Sequence, residues 1–302
     1  MIERYSHNKV TWLDVVSPTP EEIRQLIDEC DIPLEFINDL STTTPKTEVF
    51  AKKGFLKITL DFPIVKRTDI NHPHEVKFIV SKKHLITIRF EEIESLHRFS
   101  KEFEVLCMLH GKGKASGETL FITLLSKFYD ALYAKLDYLE SKLKDIEEEI
   151  FNGNEEKMVF ELSSVSRRLI TFKQTVDAHE EALLKLTDAM QSAFTSNYAT
   201  HCDAIVHQYK IVNRRLRALT STFSDLRQTN NSLLETKQNG FMRVFTILAF
   251  VTYPLTLLSS MFGMNTQNTP IVGESFDFWI IVIIMVLLST SFFAFFRYKK
   301  WL

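Results

Sequence analysis

The chain changes character twice along its length, and the pattern of apolar positions marks both changes. Up to about residue 110, short runs alternate at period two: Phe55-Leu-Lys-Ile-Thr-Leu60, Val76-Lys-Phe-Ile-Val80 and Leu85-Ile-Thr-Ile-Arg-Phe90. Such alternation places the apolar side chains on one face of a strand. Pro20–Cys30 and Ile93–Leu109 carry helical spacing instead, so residues 1–117 predict an α/β domain. Of eight prolines, six lie between Pro18 and Pro73 and none between His74 and Tyr253. From Glu118 to Phe262 the only glycines are Gly153 and Gly240, which predicts long helices. One ends near Phe151-Asn-Gly153, a second runs to about Gln191, and a third starts near Ser196. Continued through Phe262, the third would be roughly 100 Å long at about 1.5 Å per residue.

The last part is of another kind. Val244 to Phe262 and Phe278 to Phe296 are each 19 residues without a charged side chain. Each would reach about 28 Å as a helix, against a hydrocarbon core of about 30 Å. Two membrane spans are predicted, at about 241–262 and 278–296. Lys237, Arg243, Arg297, Lys299 and Lys300 flank them on one side, while residues 263–277 contain no Lys or Arg. The positive-inside rule puts both termini in the cytoplasm and the connecting loop outside. Residues 1–117 then form a cytoplasmic α/β domain, 118–240 a cytoplasmic helical hairpin and stalk helix, and 241–302 the membrane domain.

Composition conceals this division. A mean hydropathy of -0.04 and 25% charged residues describe a water-soluble chain, because the apolar residues crowd into one end. No cleavable signal peptide is expected after Met1-Ile-Glu-Arg4. A net charge of -2 gives no reason for a nucleic-acid partner. Cys30, Cys107 and Cys202 are odd in number and far apart, which argues against a disulfide framework and for a reducing compartment. Gly111-Lys-Gly-Lys-Ala-Ser-Gly117 fails as a phosphate loop, because Ser116 stands where the second glycine is needed. It reads as a connector, so neither a nucleotide nor an enzyme activity is expected. The hairpin-tip acids Asp145, Glu147, Glu148, Glu149, Glu155 and Glu156 read as a solvated face. His72-Pro-His74 and the group His201, Cys202, His207 do not read as metal sites.

The chemistry concentrates on the first span. Asn239, Met242, Thr246, Ala249, Tyr253 and Thr256 recur at alternating intervals of three and four, which holds one helix face toward a common axis. Alone, such a stripe is equally a packing seam in lipid. Gly263-Met264-Asn265 stands where this span ends, in the short loop before the second, and that position favours a polar ring at a pore mouth.

The run Tyr253-Pro-Leu-Thr-Leu-Leu-Ser-Ser-Met-Phe-Gly-Met-Asn265, the second span and the terminal Arg297-Tyr-Lys-Lys-Trp-Leu302 resemble the CorA family of magnesium transport proteins. The resemblance extends upstream through Asn239, Met242 and the stalk to Leu85-Ile-Thr-Ile88 and Ile32-Pro33. It implies a funnel-shaped homopentamer in the plasma (bacterial inner) membrane, with lipid around it and an axial pore made by the first span. Asn265 would form the outer selectivity ring, with Thr256, Tyr253, Met242 and Asn239 lining the path and Phe245 at a cytoplasmic constriction. It also implies closure when cytoplasmic divalent ions bind between subunits. Asp203 matches the sensing carboxylate, and its partner would be an acid near Glu91, Glu92 or Glu94 of a neighbour. The chain departs from the family pattern at Phe262, where Tyr is usual, and at Tyr253, where an apolar residue is common. It departs again at Thr266, Gln267 and Ile271, where acids are frequent, leaving Glu274 and Asp277 as the acids of the external loop.

The implied ion is magnesium, transported and regulatory, with cobalt or nickel also carried. Magnesium dehydrates reluctantly. A ring of amide oxygens can grip its water hydrogens without the slow release that a ring of carboxylates would bring. Gly263 is expected to let the helix end turn tightly, and Met264 to pack that turn. Two rival readings are a zinc or other transition-metal transporter of the same architecture, and a non-conducting coiled coil tethered to the membrane.

Overall fold

The protein is described by a computed structural model, covering residues 2–7, 10–37, 39–43, 47–63, 73–109, 116–194, 198–264, 271, 276–299 and 301. It divides into two units, Met1–Arg227 and Gln228–Leu302.

The first unit is built on a six-stranded sheet. Its strands are β1 (Ile2–His7), β2 (Val10–Val16), β3 (Glu48–Lys52), β4 (Phe55–Phe62), β5 (His74–Ser81) and β6 (His84–Arg89), in the order β1-β2-β6-β5-β4-β3. Only β2 and β6 pair in parallel; every other pairing is antiparallel. The β3–β4 hairpin turns on Lys53 and Gly54, both with positive φ (47° and 82°), the two-residue connection whose twist suits a hairpin. The three alternating runs read from the sequence are β4, β5 and β6. The sequence reading missed β1, β2 and β3. In Val10–Val16 four successive residues, Trp12 to Val15, are buried, so no alternation is visible there.

Helix α1 (Pro20–Cys30) opens with a capping box on Thr19 and Glu22, whose backbone and side chains satisfy each other, and with Pro20 at its first turn. Its buried residues Ile23, Leu26 and Cys30 join Leu13, Val15, Phe36, Ile79, Ile86 and Ile88 in one apolar cluster. The opposite sheet face is aromatic. Trp12 meets Phe99 of α2 (Glu94–Leu109) at 5.1 Å, and Phe78 meets Phe121 of α3 (Gly117–Phe151) at 5.6 Å.

Helix α3, α4 (Glu155–Ala193) and the start of α5 (Ala199–Phe262) then pack through seams with a seven-residue repeat. On α5 the buried residues Cys202, Ile205, Tyr209, Val212, Leu216, Leu219, Phe223 and Leu226 alternate by three and four, the spacing of helix-on-helix packing. Arg215 ties α5 to α3, donating to Glu140 at 2.6 Å, contacting Asp137, and lying 4.3 Å over the Tyr133 ring. Asn152 and Gly153 (φ 90°) turn α3 into α4, as the glycine predicts.

Gly117 corrects the reading of a simple connector. It is the first residue of α3, capped by Ser116, and donates its N–H to the Lys82 carbonyl at 3.1 Å. A Cβ there would stand 2.1 Å from the Ser81 carbonyl oxygen and 2.6 Å from that of His84. Residues 110–115 of that segment lie outside the described residues.

The second unit contains the remainder of α5 and α6 (Asp277–Tyr298), the two helices long and apolar enough to cross a membrane. Phe250 and Phe296 meet at 6.3 Å between them, and Phe296 stacks on Trp301 at 5.9 Å.

Candidate functional site

The candidate conduction path is a face of α5. Ile247 is buried and Phe250 meets α6, which fixes one side of the helix as the side facing its partner span. At about 100° per residue, Phe245, Ala249 and Thr256 fall on the other side, while Met242, Thr246 and Tyr253 lie on the flank beside Phe250. Met242 (57%), Phe245 (65%) and Tyr253 (75%) are exposed, as are Asn239 and Thr256, while Thr246 and Ala249 are half-buried. Such a stripe of Asn, Tyr and Thr suits a face turned toward further helices rather than toward lipid tails.

The threonines along the span satisfy their own protons. Thr246 donates to the Met242 carbonyl at 2.7 Å, Thr252 to Leu248 at 2.8 Å, and Thr256 to Thr252 at 2.9 Å. With the hydroxyl proton spent on the backbone, each oxygen offers only lone pairs outward. Oxygens of that kind accept hydrogen bonds from the waters around a cation and give none to an anion.

At its C-terminal end α5 tightens: Gly263 N–H bonds to Ser259 at 2.9 Å, and Met264 N–H to Met261 at 3.4 Å, an i to i−3 closure. Gly263 is not in the left-handed region, so its role is space: a Cβ would lie 3.1 Å from the Ser259 carbonyl oxygen. Met264 is exposed. Asn265 and Glu274 lie outside the described residues. Asp277 stands in the first turn of α6, where a carboxylate is favoured by the helix dipole.

The candidate regulatory acids lie on separate elements. Asp203 and His207 are both exposed on the first turns of α5. Glu91 and Glu92 lie in the segment between β6 and α2, and Glu94 begins α2; all three are exposed. Glu91 contacts His74, and Glu94 pairs with Arg98 at 2.6 Å. Glu92 and Glu94 rim a cleft of about 440 Å³ between α2 and α3, which Asp130, Lys127 and Lys135 also line. Among the described residues no group of three or more His, Cys, Asp or Glu is placed to hold a metal ion. His201 and His207 are exposed while Cys202 is buried, and burial pushes its thiol up to about 11. His72 lies outside the described residues.

Sequence reasoning missed the residues beneath the acidic segment. Arg89 pairs with the buried Asp14, which also accepts from Thr87. The signal was available: an Asp and an Arg inside two otherwise apolar runs, Trp12-Leu-Asp-Val-Val16 and Leu85-Ile-Thr-Ile-Arg89.

The model of the CorA-like Mg2+ transporter protein family matches residues 7–299. The cobalt/magnesium transport protein CorA of Thermotoga maritima is 20% identical over 97% of this chain and 83% of its own. The magnesium transport protein CorA of Salmonella typhimurium is 22% identical, over 96% and 92%. In fold, the complete CorA magnesium transporter of Methanocaldococcus jannaschii superposes with a TM-score of 0.83 at 17% identity, covering 99% of this chain and 93% of that one. With a family match over nearly its whole length, on the two-span architecture described above, this chain belongs to the CorA-like Mg2+ transporter protein family.

Proposed function

We propose that this chain conducts hydrated divalent cations, magnesium foremost and cobalt or nickel as well, through a pore on the axis of a homopentamer in the plasma membrane. The observation that carries the reading is the polar stripe on α5, largely exposed and centred away from the buried Ile247. Five copies facing a common axis would convert it into a lining of Asn239, Met242, Thr246, Ala249, Tyr253 and Thr256. Phe245 forms an apolar neck near the cytoplasmic end, and Gly263, Met264 and Asn265 form the outer mouth. The external loop gathers ions with Glu274 and Asp277. Both termini are cytoplasmic, and 1–117, 118–240 and 241–302 are the α/β domain, the hairpin with stalk helix, and the pore.

Two positive charges moving down an inside-negative potential gain about 4.6 kcal/mol per 100 mV, so entry needs no nucleotide but does need a gate. Magnesium bound between Asp203 of one subunit and Glu91, Glu92 or Glu94 of the next would relieve their repulsion and favour the closed state. Asp203→Lys then places an ammonium where the ion would sit. It should give low flux and a protease-resistant cytoplasmic domain even in chelator; the native magnesium dependence of both would remove Asp203 from the sensor.

Asn265→Ala tests the pore itself. The variant is expected to assemble normally and lose magnesium uptake into liposomes, because the ring of amide acceptors is gone. Native flux from a normally assembled variant refutes the assignment. The same assay run with zinc separates the transition-metal alternative.

A further inference from the structure

Glu91 and Glu92, with Glu94 close behind, follow β6 directly, and neighbouring carboxylates repel. Glu91 contacts His74 and Glu94 pairs with Arg98, and the backbone of the run is also fixed from within. Arg89, the last residue of β6, is buried and faces two ways. Its Nε and Nη2 donate to the Asp14 carboxylate at 3.2 and 2.9 Å, while its Nη1 donates to the Glu91 carbonyl at 2.9 Å. Asp14, also buried, accepts from the Thr87 hydroxyl at 2.6 Å, and Thr87 accepts from the Trp12 indole N–H at 3.0 Å. A continuous chain of hydrogen bonds thus runs from the aromatic core to the backbone of the acidic segment. Ser17 holds the same strand end from another side, its N–H on the Arg89 carbonyl at 2.8 Å and its hydroxyl on that of Phe90 at 3.1 Å.

Stability alone does not account for this arrangement. A buried Arg–Asp pair is costly to desolvate, and apolar residues of similar volume often serve a core as well. A lysine could answer Asp14, but it has no planar fork with which to reach the Glu91 carbonyl at the same time. We infer that Arg89 is a positioning residue for cytoplasmic ion sensing: through the Glu91 carbonyl it holds the backbone that carries the Glu91 and Glu92 side chains before an ion arrives. Preorganisation removes the ordering cost that the ion would otherwise have to offset. The inference rests on the regulatory reading of Glu91, Glu92 and Glu94.

The test uses the full-length protein in liposomes. Three quantities are measured: the magnesium concentration giving half-maximal protection of the cytoplasmic unit from protease, the internal magnesium giving half-maximal flux inhibition, and the melting temperature in EDTA. Arg89→Lys is expected to raise both magnesium midpoints about tenfold while leaving melting in EDTA close to that of the parent. Asp14→Asn combined with Arg89→Gln removes both buried charges together and should raise the midpoints equally. Ser17→Ala, at an exposed position, should give a smaller rise in the same direction. The triple variant Glu91→Gln, Glu92→Gln, Glu94→Gln tests the underlying reading and should raise the midpoints by itself, with Arg89→Lys adding nothing on that background. If the triple variant acts and the Arg89 and Ser17 variants change only melting, positioning is overturned and the regulatory reading stands. If the triple variant leaves the midpoints unchanged, the regulatory reading fails and this inference falls with it.

Discussion

The two units of the chain satisfy their side chains in opposite ways. In Met1–Arg227 the apolar residues close on each other, and buried polar groups such as Asp14, Thr87 and Arg89 find partners within the same chain. His179 is an example: its Nε2–H donates to the Asp61 carbonyl at 2.6 Å, which leaves Nδ1 to accept from the Tyr129 hydroxyl at 3.0 Å. In Gln228–Leu302, among the described residues, only Asn230, Ile247 and Phe296 are buried, although this is the more apolar unit. Phe241, Val244, Phe245, Leu248, Tyr253, Leu257 and most of α6 stand open. A water-facing surface of that kind would aggregate. Such a unit requires apolar surroundings beyond its own chain. The first unit is specified by its own sequence, and the second by sequence together with its surroundings.

The largest test of that contrast is Gly117→Ala. The added methyl would lie 2.1 Å from a backbone oxygen that the β5–β6 turn cannot move without breaking its own pairing. A loss on the order of 4 kcal/mol or more is expected, read as protease sensitivity of the cytoplasmic unit and failure to melt cooperatively. Native resistance would mean that α3 does not start against that turn.

Next comes a pair of phenylalanines. Phe121 is fully buried, so Phe121→Ala should cost about 3–5 kcal/mol of stability with ion selectivity unchanged. Phe245 is 65% exposed, so Phe245→Gly should cost only about 1 kcal/mol through helix propensity, yet leak at internal magnesium levels that close the parent. Melting curves and liposome flux, measured on both variants, separate core from neck. A destabilised, non-leaking Phe245→Gly would place that side chain in a packed core.

How much of this was legible in the sequence follows the same division. The spans needed only two charge-free runs of helix length, and α3 and α4 only a proline-free stretch broken at Gly153. The strands β1, β2 and β3 were not legible, because edge position and burial on both faces erase the alternation that betrays a strand. The support beneath the acidic segment was illegible for another reason. Arg89 and Asp14 are 75 positions apart, and only the parallel register of β2 on β6 brings them together. The stripe proposed to line a path along α5 could be read as one helix face because a helix displays its faces in its own spacing.

An acid titration sharpens the first half of the comparison. Burial lowers His179 from about 6.5 to about 4, so the folded unit holds it neutral. As pH falls from 6.5 to 4 the unfolded chain takes up a proton that the folded one refuses, and roughly 3 kcal/mol of stability is lost. Asp61 acts in the opposite sense: burial, then the charge of Glu75, raises it from 3.8 to about 6. The folded unit therefore protonates it first, and acidification through that window adds stability. Asp61→Asn removes the compensation, so melting temperature should fall more steeply than in the parent between pH 6 and 4. Superimposed curves would make Asp61 an ordinary surface carboxylate.

The smallest effect is expected at Gly240, within α5 and between Asn239 and Met242 of the candidate path. A Cβ there meets nothing within 4 Å, and the backbone is not left-handed, so nothing in the chain itself requires glycine. A helix-interior glycine costs up to about 1 kcal/mol against alanine. Gly240→Ala should therefore raise melting by a degree or two and preserve magnesium flux, if the helices around the pore axis stand apart at this level. The opposite result would be equally informative. Loss of assembly with the folded cytoplasmic unit intact would place a neighbouring copy's backbone against Gly240, since only a second chain can supply the atoms that a new methyl would strike.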